Sequence, residues 1–327
     1  TIRSYLDTQG GIVKSIFIEN LRPKIDLLNE PFLLQEIAER TTKDGRPFIL
    51  FTLRDKTGTL SGVFWDVPAS ILEWARPGQA VLVSGRVNLY KDALQINATD
   101  LNPSFMDELT DFLPFSSRPV EEMITELRQV IGGLNEPWQG LVSHLLLDET
   151  FLPQFASAPA ARNMHHAVMG GLLEHTLSMA TIADYLAGHY PHVNRDLLLA
   201  GTLLHDMGKP VEYDVENSFA FTEDGRLVGH IMRAIVMIEK AAADLNTIPA
   251  DDLRLLVHLV ASHHGNLEWG SPVVPKTLEA VLLHQIDLLD SRVQGFLDYA
   301  ATDSDAEGWT VKASPMFRTE LKRPSTM

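Results

Sequence analysis

The chain has 327 residues, 45% hydrophobic and 21% charged, a length and balance that suit a soluble protein of two domains with at least one large core. It has no cysteine, which excludes disulfide frameworks, thiolate metal sites and cysteine nucleophiles, and it has no apolar run of the roughly 18 residues a membrane helix needs. The formal net charge of −16 lies almost wholly outside Gly10–Pro103, which carries about 11 basic and about 11 acidic residues, so a nucleic-acid backbone would be met by that near-neutral part.

In chain order, the opening TIRSYLDTQG has no basic flank followed by an apolar stretch, so no signal peptide is expected and a cytoplasmic location is. Residues 11–18, 47–55, 59–66, 80–90 and 93–101 are rich in β-branched and aromatic side chains and are separated by turn residues, which predicts five strands. Residues 68–78 read as a short helix ended by Pro77-Gly78. Five strands with a helix between the third and fourth match the OB-fold, a small barrel that often binds single strands. Prolines 103, 114 and 119 mark a linker. Beyond it, helices are expected over 119–132, 137–147, 171–190, 196–207, 229–245, 251–263 and 276–298, then a polar tail. The expected fold is an all-β barrel at 1–103, a linker at 104–119, an all-α domain at 120–300 and a C-terminal tail at 301–327.

Within the helices, five apolar faces carry a histidine or a carboxylate. His175 falls on the stripe of Leu172 and Met179, and His205 follows Gly201 by four residues. His230 shares a stripe with Ala234, Met237 and Ala241, His263 continues Leu253, Leu256 and Val260, and Asp287 continues Ala280 and Leu283. Asp206 adjoins His205 at the expected last turn of its helix, with Gly208 as C-cap and Pro210 barring continuation. An unpaired buried carboxylate costs many kcal/mol, so five such placements point to a shared metal site. His144, His189, His192 and His258 are read as ordinary core or surface histidines.

EHT at 174–176, LLHDMGK at 203–209 and the distant HQIDLLD resemble the HD superfamily of metal-dependent phosphohydrolases. GH at 229–230 and SHHG at 262–265 resemble its two-metal members, although no GYP follows the histidine pair as in the cyclic-dinucleotide phosphodiesterases. With HHAVMGGLLEHT behind an N-terminal OB-fold, the chain resembles the YhaM-type 3′–5′ exoribonucleases. That resemblance implies one metal held by His175, His205, Asp206 and Asp287, with Asp206 bridging to a second held by His230 and by His263 or His264. Neighbouring helical residues point about 100° apart, so His263 is preferred by its stripe and His264 is kept in reserve or as a substrate contact. The cofactor expected is a pair of divalent transition-metal ions, Mn first, with Fe, Co or Ni as substitutes for it.

The implied activity is hydrolysis of single-stranded RNA, and of DNA as a further substrate, to nucleoside 5′-monophosphates. Asp206 and Lys209 are the catalytic candidates. Lys209 either faces the charge developing at phosphorus or is a solvated lysine at a helix end. Arg162, His165 and His166 are either phosphate contacts or a helix-start cluster without chemistry. On the barrel, Phe51, Trp65 and Tyr90 with Arg54 and Arg86 are the candidates for stacking and backbone contacts, with one of Phe64 and Trp65 in the core. The partner expected is single-stranded nucleic acid, with no membrane and room for a homo-oligomer. The competing readings are a phosphatase or phosphodiesterase of small nucleotides, with the barrel as accessory, and a non-catalytic single-strand-binding factor.

Overall fold

The computed structural model describes residues 14–91, 93–104, 111–113, 115–161, 168–214, 220–301, 305 and 307–325. By contact the chain divides into a unit of residues 1–115 with 216–220 and a unit of residues 116–215 with 221–327.

The first unit is a closed barrel of β1 (Asp26–Thr41), β2 (Pro47–Asp55), β3 (Gly58–Trp65), β4 (Ala80–Tyr90) and β5 (Ala93–Pro103), in the order β1-β2-β3-β5-β4, with α1 (Ala69–Trp74) between β3 and β4. Only the β3–β5 pairing is parallel among the pairings of this barrel, and Gly62 there faces Ile96. Inward residues such as Ile49, Leu53, Val81, Val87 and Ile96 fill the core. This is the OB-fold arrangement anticipated from the strand order.

The first strand is not where the sequence places it. Described residues 14–17 form no strand, and Ile18–Asn20 is a 3-10 turn. This segment is held by side chains instead of a ladder. Glu30 accepts from the Ser15 and Ile16 amides, Asp55 accepts from the Ile18 amide, and the buried Lys14 Nζ sits 3.3 Å from Asp55 and 3.6 Å from the Phe32 ring centre. The true β1 contains Asn29-Glu30-Pro31, which reads as a turn. The ladder absorbs it by a register shift between Leu27 and Glu30, with Asn29 at φ 51°. Residues 111–113 of the expected linker also belong to the barrel unit, with Phe112 and Leu113 buried and Asp111 paired with Lys56 at 2.8 Å.

The second unit is helical: α2 (Val120–Gly132), α3 (Trp138–Leu146), α4 (Phe151–Ser157), α5 (Gly171–His189), α6 (Arg195–Leu204), α7 (Lys209–Glu212), α8 (Glu223–Leu227), α9 (His230–Leu245), α10 (Ala250–Ser262) and α11 (Leu278–Ala300). A two-stranded sheet of β6 (Tyr213–Asp214) and β7 (Ala220–Phe221) lies between α7 and α8. The spine of the unit is α6, where every residue from Leu197 to Leu204 is buried; α5, α10 and α11 pack around it. Among the described residues after Ala301, Thr310, Ser314 and Leu321 are buried, and Phe317 packs edge-on against Phe296 of α11, so this tail is folded onto the last helix.

Candidate metal centre

Five of the seven expected ligands depend on where helices stop or start. His205 and Asp206 follow the end of α6, His263 and His264 follow the end of α10, and His230 is the first residue of α9. His175 lies within α5 and Asp287 within α11. The last carbonyls of a helix have no intrahelical donor, and two of them are used here to aim imidazoles. His205 Nδ1 donates to the Thr202 carbonyl at 2.8 Å and His263 Nδ1 to the Val260 carbonyl at 2.7 Å, each three residues back. His264 Nδ1 donates to the Trp269 carbonyl at 2.8 Å. Carbonyls only accept, so Nδ1 carries the proton in all three rings and Nε2 is left with a lone pair.

Two further rings are held by carboxylates. His175 Nδ1 lies 2.7 Å from Asp290, whose other oxygen accepts from Ser178 Oγ. His230 Nδ1 lies 2.9 Å from both oxygens of Glu212, which also accepts from the His230 amide. Asp290 and Glu212 are both buried.

All seven side chains converge. Ligand atoms of His175, His205 and Asp287 form one close group, those of His230, His263 and His264 a second, and those of His205, Asp206 and His263 a third that joins them, each within 4.8 Å. Asp206 is the hub: Oδ2 lies 3.1 Å from His205 Nε2, and Oδ1 lies 3.4 Å from His230 Nε2 and 3.6 Å from His263 Nε2. Helical spacing, which ranked His263 ahead of His264, does not apply to these two residues. Both histidines stand in the turn after α10, so the 100° rule does not separate them and both rings face the cluster.

The Nε2 atoms of His205, His230 and His263 and Oδ1 of Asp206 are buried with no hydrogen-bond partner. Each such orphan costs about 1–3 kcal/mol if left unpartnered, and a set of imidazole and carboxylate atoms turned to one centre fits divalent cations. Burial would raise the Asp206 carboxyl, but His205 and Lys209 beside it hold it well below the usual range. Burial, with His205 and His264 close by, pushes His263 well down, and burial with His230 lowers His264. Burial alone would lower His175, yet its bonds to Asp287 and Asp290 raise it to about 9. Asp287 is lowered, its burial outweighed by His175.

Lys209 is 9% exposed with Nζ 2.5 Å from Asp206 Oδ2, so it is not a solvated lysine. Gly208 is not a left-handed C-cap: its φ is −79°, and α7 begins directly after it, with Pro210 in its first turn. Its missing side chain serves contact instead, because a Cβ there would lie 2.1 Å from the His230 carbonyl oxygen. The cluster floors a cleft of about 580 Å³ whose walls include Lys209, Tyr213, Trp269, His284 and Arg292. Arg162, His165 and His166 lie outside the described residues. His258 is structural, its Nε2 accepting from the Lys276 amide at 2.9 Å.

On the barrel, Phe51 is corrected from surface candidate to core residue: it is 3% exposed, and a Cβ on Gly62 would fall 2.2 Å from its ring. Phe64 is buried while its neighbour Trp65 is 53% exposed and stacked on Phe48 at 4.6 Å. Pairing places Phe48, Leu50 and Arg54 of β2, Trp65 of β3, Gln95 and Asn97 of β5, and Arg86 and Tyr90 of β4 on one outward side of the sheet. Arg54 is half-buried there, and burial lowers its pKa. Arg86 lies 3.4 Å from Asp26.

The sequence reading missed Asp290, Glu212, Ser178 and His284. Asp290 follows Asp287 by three residues and so shares its helical side, a signal that was available. Glu212 sits in a four-residue helix that no periodicity announces.

Residues 172–292 match the HD domain family, and residues 36–103 match a family described as an OB-fold nucleic acid binding domain. A 3′–5′ exoribonuclease YhaM from Bacillus velezensis is 33% identical over 286 residues, covering 86% of this chain and 89% of that protein. The YhaM of Bacillus subtilis is 32% identical over 285 residues with the same coverage, and that of a Geobacillus species is 34% identical over 264 residues, covering 80% of this chain and 81% of that protein.

Proposed function

The chain belongs to the YhaM family of 3′–5′ exoribonucleases, and from that premise we propose that it is a metal-dependent 3′–5′ exoribonuclease releasing nucleoside 5′-monophosphates from single-stranded RNA. The observation that carries the reading is the set of buried, partnerless Nε2 and Oδ1 atoms turned to one centre on the floor of an open cleft. In this reading His175, His205 and Asp287 hold one divalent ion, His230, His263 and His264 hold another, and Asp206 is shared. An imidazole-rich set favours Mn, Fe, Co or Ni over Mg, with Mn first. Such a pair activates water and stabilises the attacking and leaving oxygens of phosphodiester hydrolysis.

The protein's own groups supply the rest. Helix-end carbonyls and the two buried carboxylates lock each ring in the tautomer that presents Nε2. Lys209 lines the cleft beside Asp206, where an ammonium offsets charge developing on the phosphoryl oxygens. The barrel captures the strand through Trp65 and Tyr90, with Arg86 on the same side of the sheet.

A 5′-end-labelled RNA oligomer incubated with Mn-loaded protein is expected to shorten as a ladder, and Asp206→Ala to abolish it and to lose bound metal. Release of the label as a mononucleotide at the outset reverses the polarity. Hydrolysis of mononucleotides with intact oligomers left untouched favours the small-nucleotide reading.

A further inference from the structure

The cleft follows α11. His284, Asp287, Leu288, Ser291 and Arg292 line it in succession, so this one helix borders the metal ligands and the space on both sides of them.

His284 stands three residues before Asp287, about 4.5 Å along the helix axis. It belongs to none of the metal-ligand groups formed among the described residues. Its Nδ1 donates to the His263 carbonyl at 2.9 Å, which fixes the ring and leaves Nε2 as an acceptor. The position is built. Gly265 has φ +79°, and a Cβ there would lie 2.2 Å from the His284 ring, so the turn after the two metal histidines leaves room for this imidazole. Trp269 stands 6.2 Å from the same ring and is half-exposed. An acceptor nitrogen pairs with a hydroxyl and not with a phosphate oxygen, which is itself an acceptor.

Arg292 stands five residues beyond Asp287 in the other direction, about 7.5 Å along the axis, a distance comparable with one extended nucleotide. It is exposed, and no hydrogen bond or ion pair to another described residue engages its guanidinium. Lys209, the other cation lining the cleft, is already bound by Asp206. Among the described residues that line the cleft, Arg292 is therefore the cation left to receive a phosphate, in a chain of net charge −16.

We propose that α11 is a ruler for the last nucleotides of the substrate: His284 accepts a hydrogen bond from a hydroxyl of the 3′-terminal ribose, and Arg292 holds the phosphate upstream of the bond that is cut. The assignment rests on the exonuclease reading above and adds the direction in which the strand lies. The terminal nucleotide sits on the Trp269 side, and the remaining chain leaves past Arg292.

The test uses the full-length, metal-loaded protein and three 5′-labelled RNA oligomers that end in a ribonucleotide, a 2′-deoxynucleotide or a 3′-deoxynucleotide. The wild type is expected to lose about fivefold in first-cleavage kcat/KM on the oligomer lacking the hydroxyl that His284 reads, the two deoxy substrates telling which hydroxyl it is. His284→Phe should cleave all three slowly and without preference. Equal wild-type rates on all three overturn the His284 assignment without need of any variant, and so does His284→Phe that keeps the preference. Arg292→Ala should raise KM for an RNA trinucleotide about tenfold more than for the p-nitrophenyl ester of thymidine 5′-monophosphate, which has no upstream phosphate. An equal change on the two substrates overturns the Arg292 assignment. Failure of the wild type to shorten the all-ribose oligomer is a different result, and it removes the exonuclease reading itself.

Discussion

His175 and His230 differ from the other three rings of the centre in resting on carboxylates, Asp290 and Glu212. A carboxylate behind an imidazole makes it a stronger ligand, and loss of such a partner typically costs 10–100-fold in metal affinity. Because the two rings fall in different ligand groups, Glu212→Gln should weaken one of two metal-binding steps and Asp290→Asn the other, read by titration of the stripped protein with Mn. Weakening of both steps by either change would show that the two groups do not bind independently. Stripping metal should also expose a pH dependence. With His175 raised to about 9 from 6.5, its ion pair stabilises the stripped protein fully below pH 6.5 and is lost as pH rises through 9. The melting temperature of the chelator-treated protein should therefore fall between pH 6.5 and 9.5 by more than that of the loaded protein, in which metal has taken the proton's place. Parallel pH profiles would contradict this.

At the level of elements, the centre depends on α9 starting where α7 begins. Gly208 makes that approach feasible, since an added methyl would meet the His230 backbone at 2.1 Å. Gly208→Ala should cost about 1–3 kcal/mol in urea unfolding and displace His230, lowering metal content as well as stability. Unchanged metal content would mean that the backbone yields elsewhere. The long amphipathic helices were legible because their apolar spacing is strong: residues 171–190 were expected and Gly171–His189 is found. The short elements α4, α7 and α8 were not, since four to seven residues carry too little periodicity. Strand β1 was missed for a different reason, because Asn29 and Pro31 imitate a turn that the barrel accommodates by a register shift. The seven proposed ligand positions stand out in the sequence because each breaks an apolar stripe or follows one. The groups that orient them are polar residues in polar surroundings along the chain, and only folding brings Glu212 to His230, 18 residues away, or Asp290 to His175, 115 residues away.

For the whole molecule, the separation of charge sets the division of labour. The segment that forms the barrel is near neutral, and the helical part carries the acidic excess, so strand capture must rely on stacking more than on phosphate attraction. The full chain carrying both Trp65→Ala and Tyr90→Ala should show at least a tenfold rise in KM on long single-stranded RNA, with a much smaller effect on a small phosphodiester such as bis(p-nitrophenyl) phosphate. Equal effects on both would point to a fold defect instead of lost capture. Closure of the barrel carries a separate consequence. In the ring β1-β2-β3-β5-β4 each strand has a neighbour on both sides, with β3 and β5 meeting over Ser61–Val63 and Gln95–Asn97, so the barrel has no edge strand. A neighbouring copy therefore finds no edge strand on the barrel to extend, which limits edge-to-edge association of this unit. Self-assembly through the barrel then has to be negotiated between side chains.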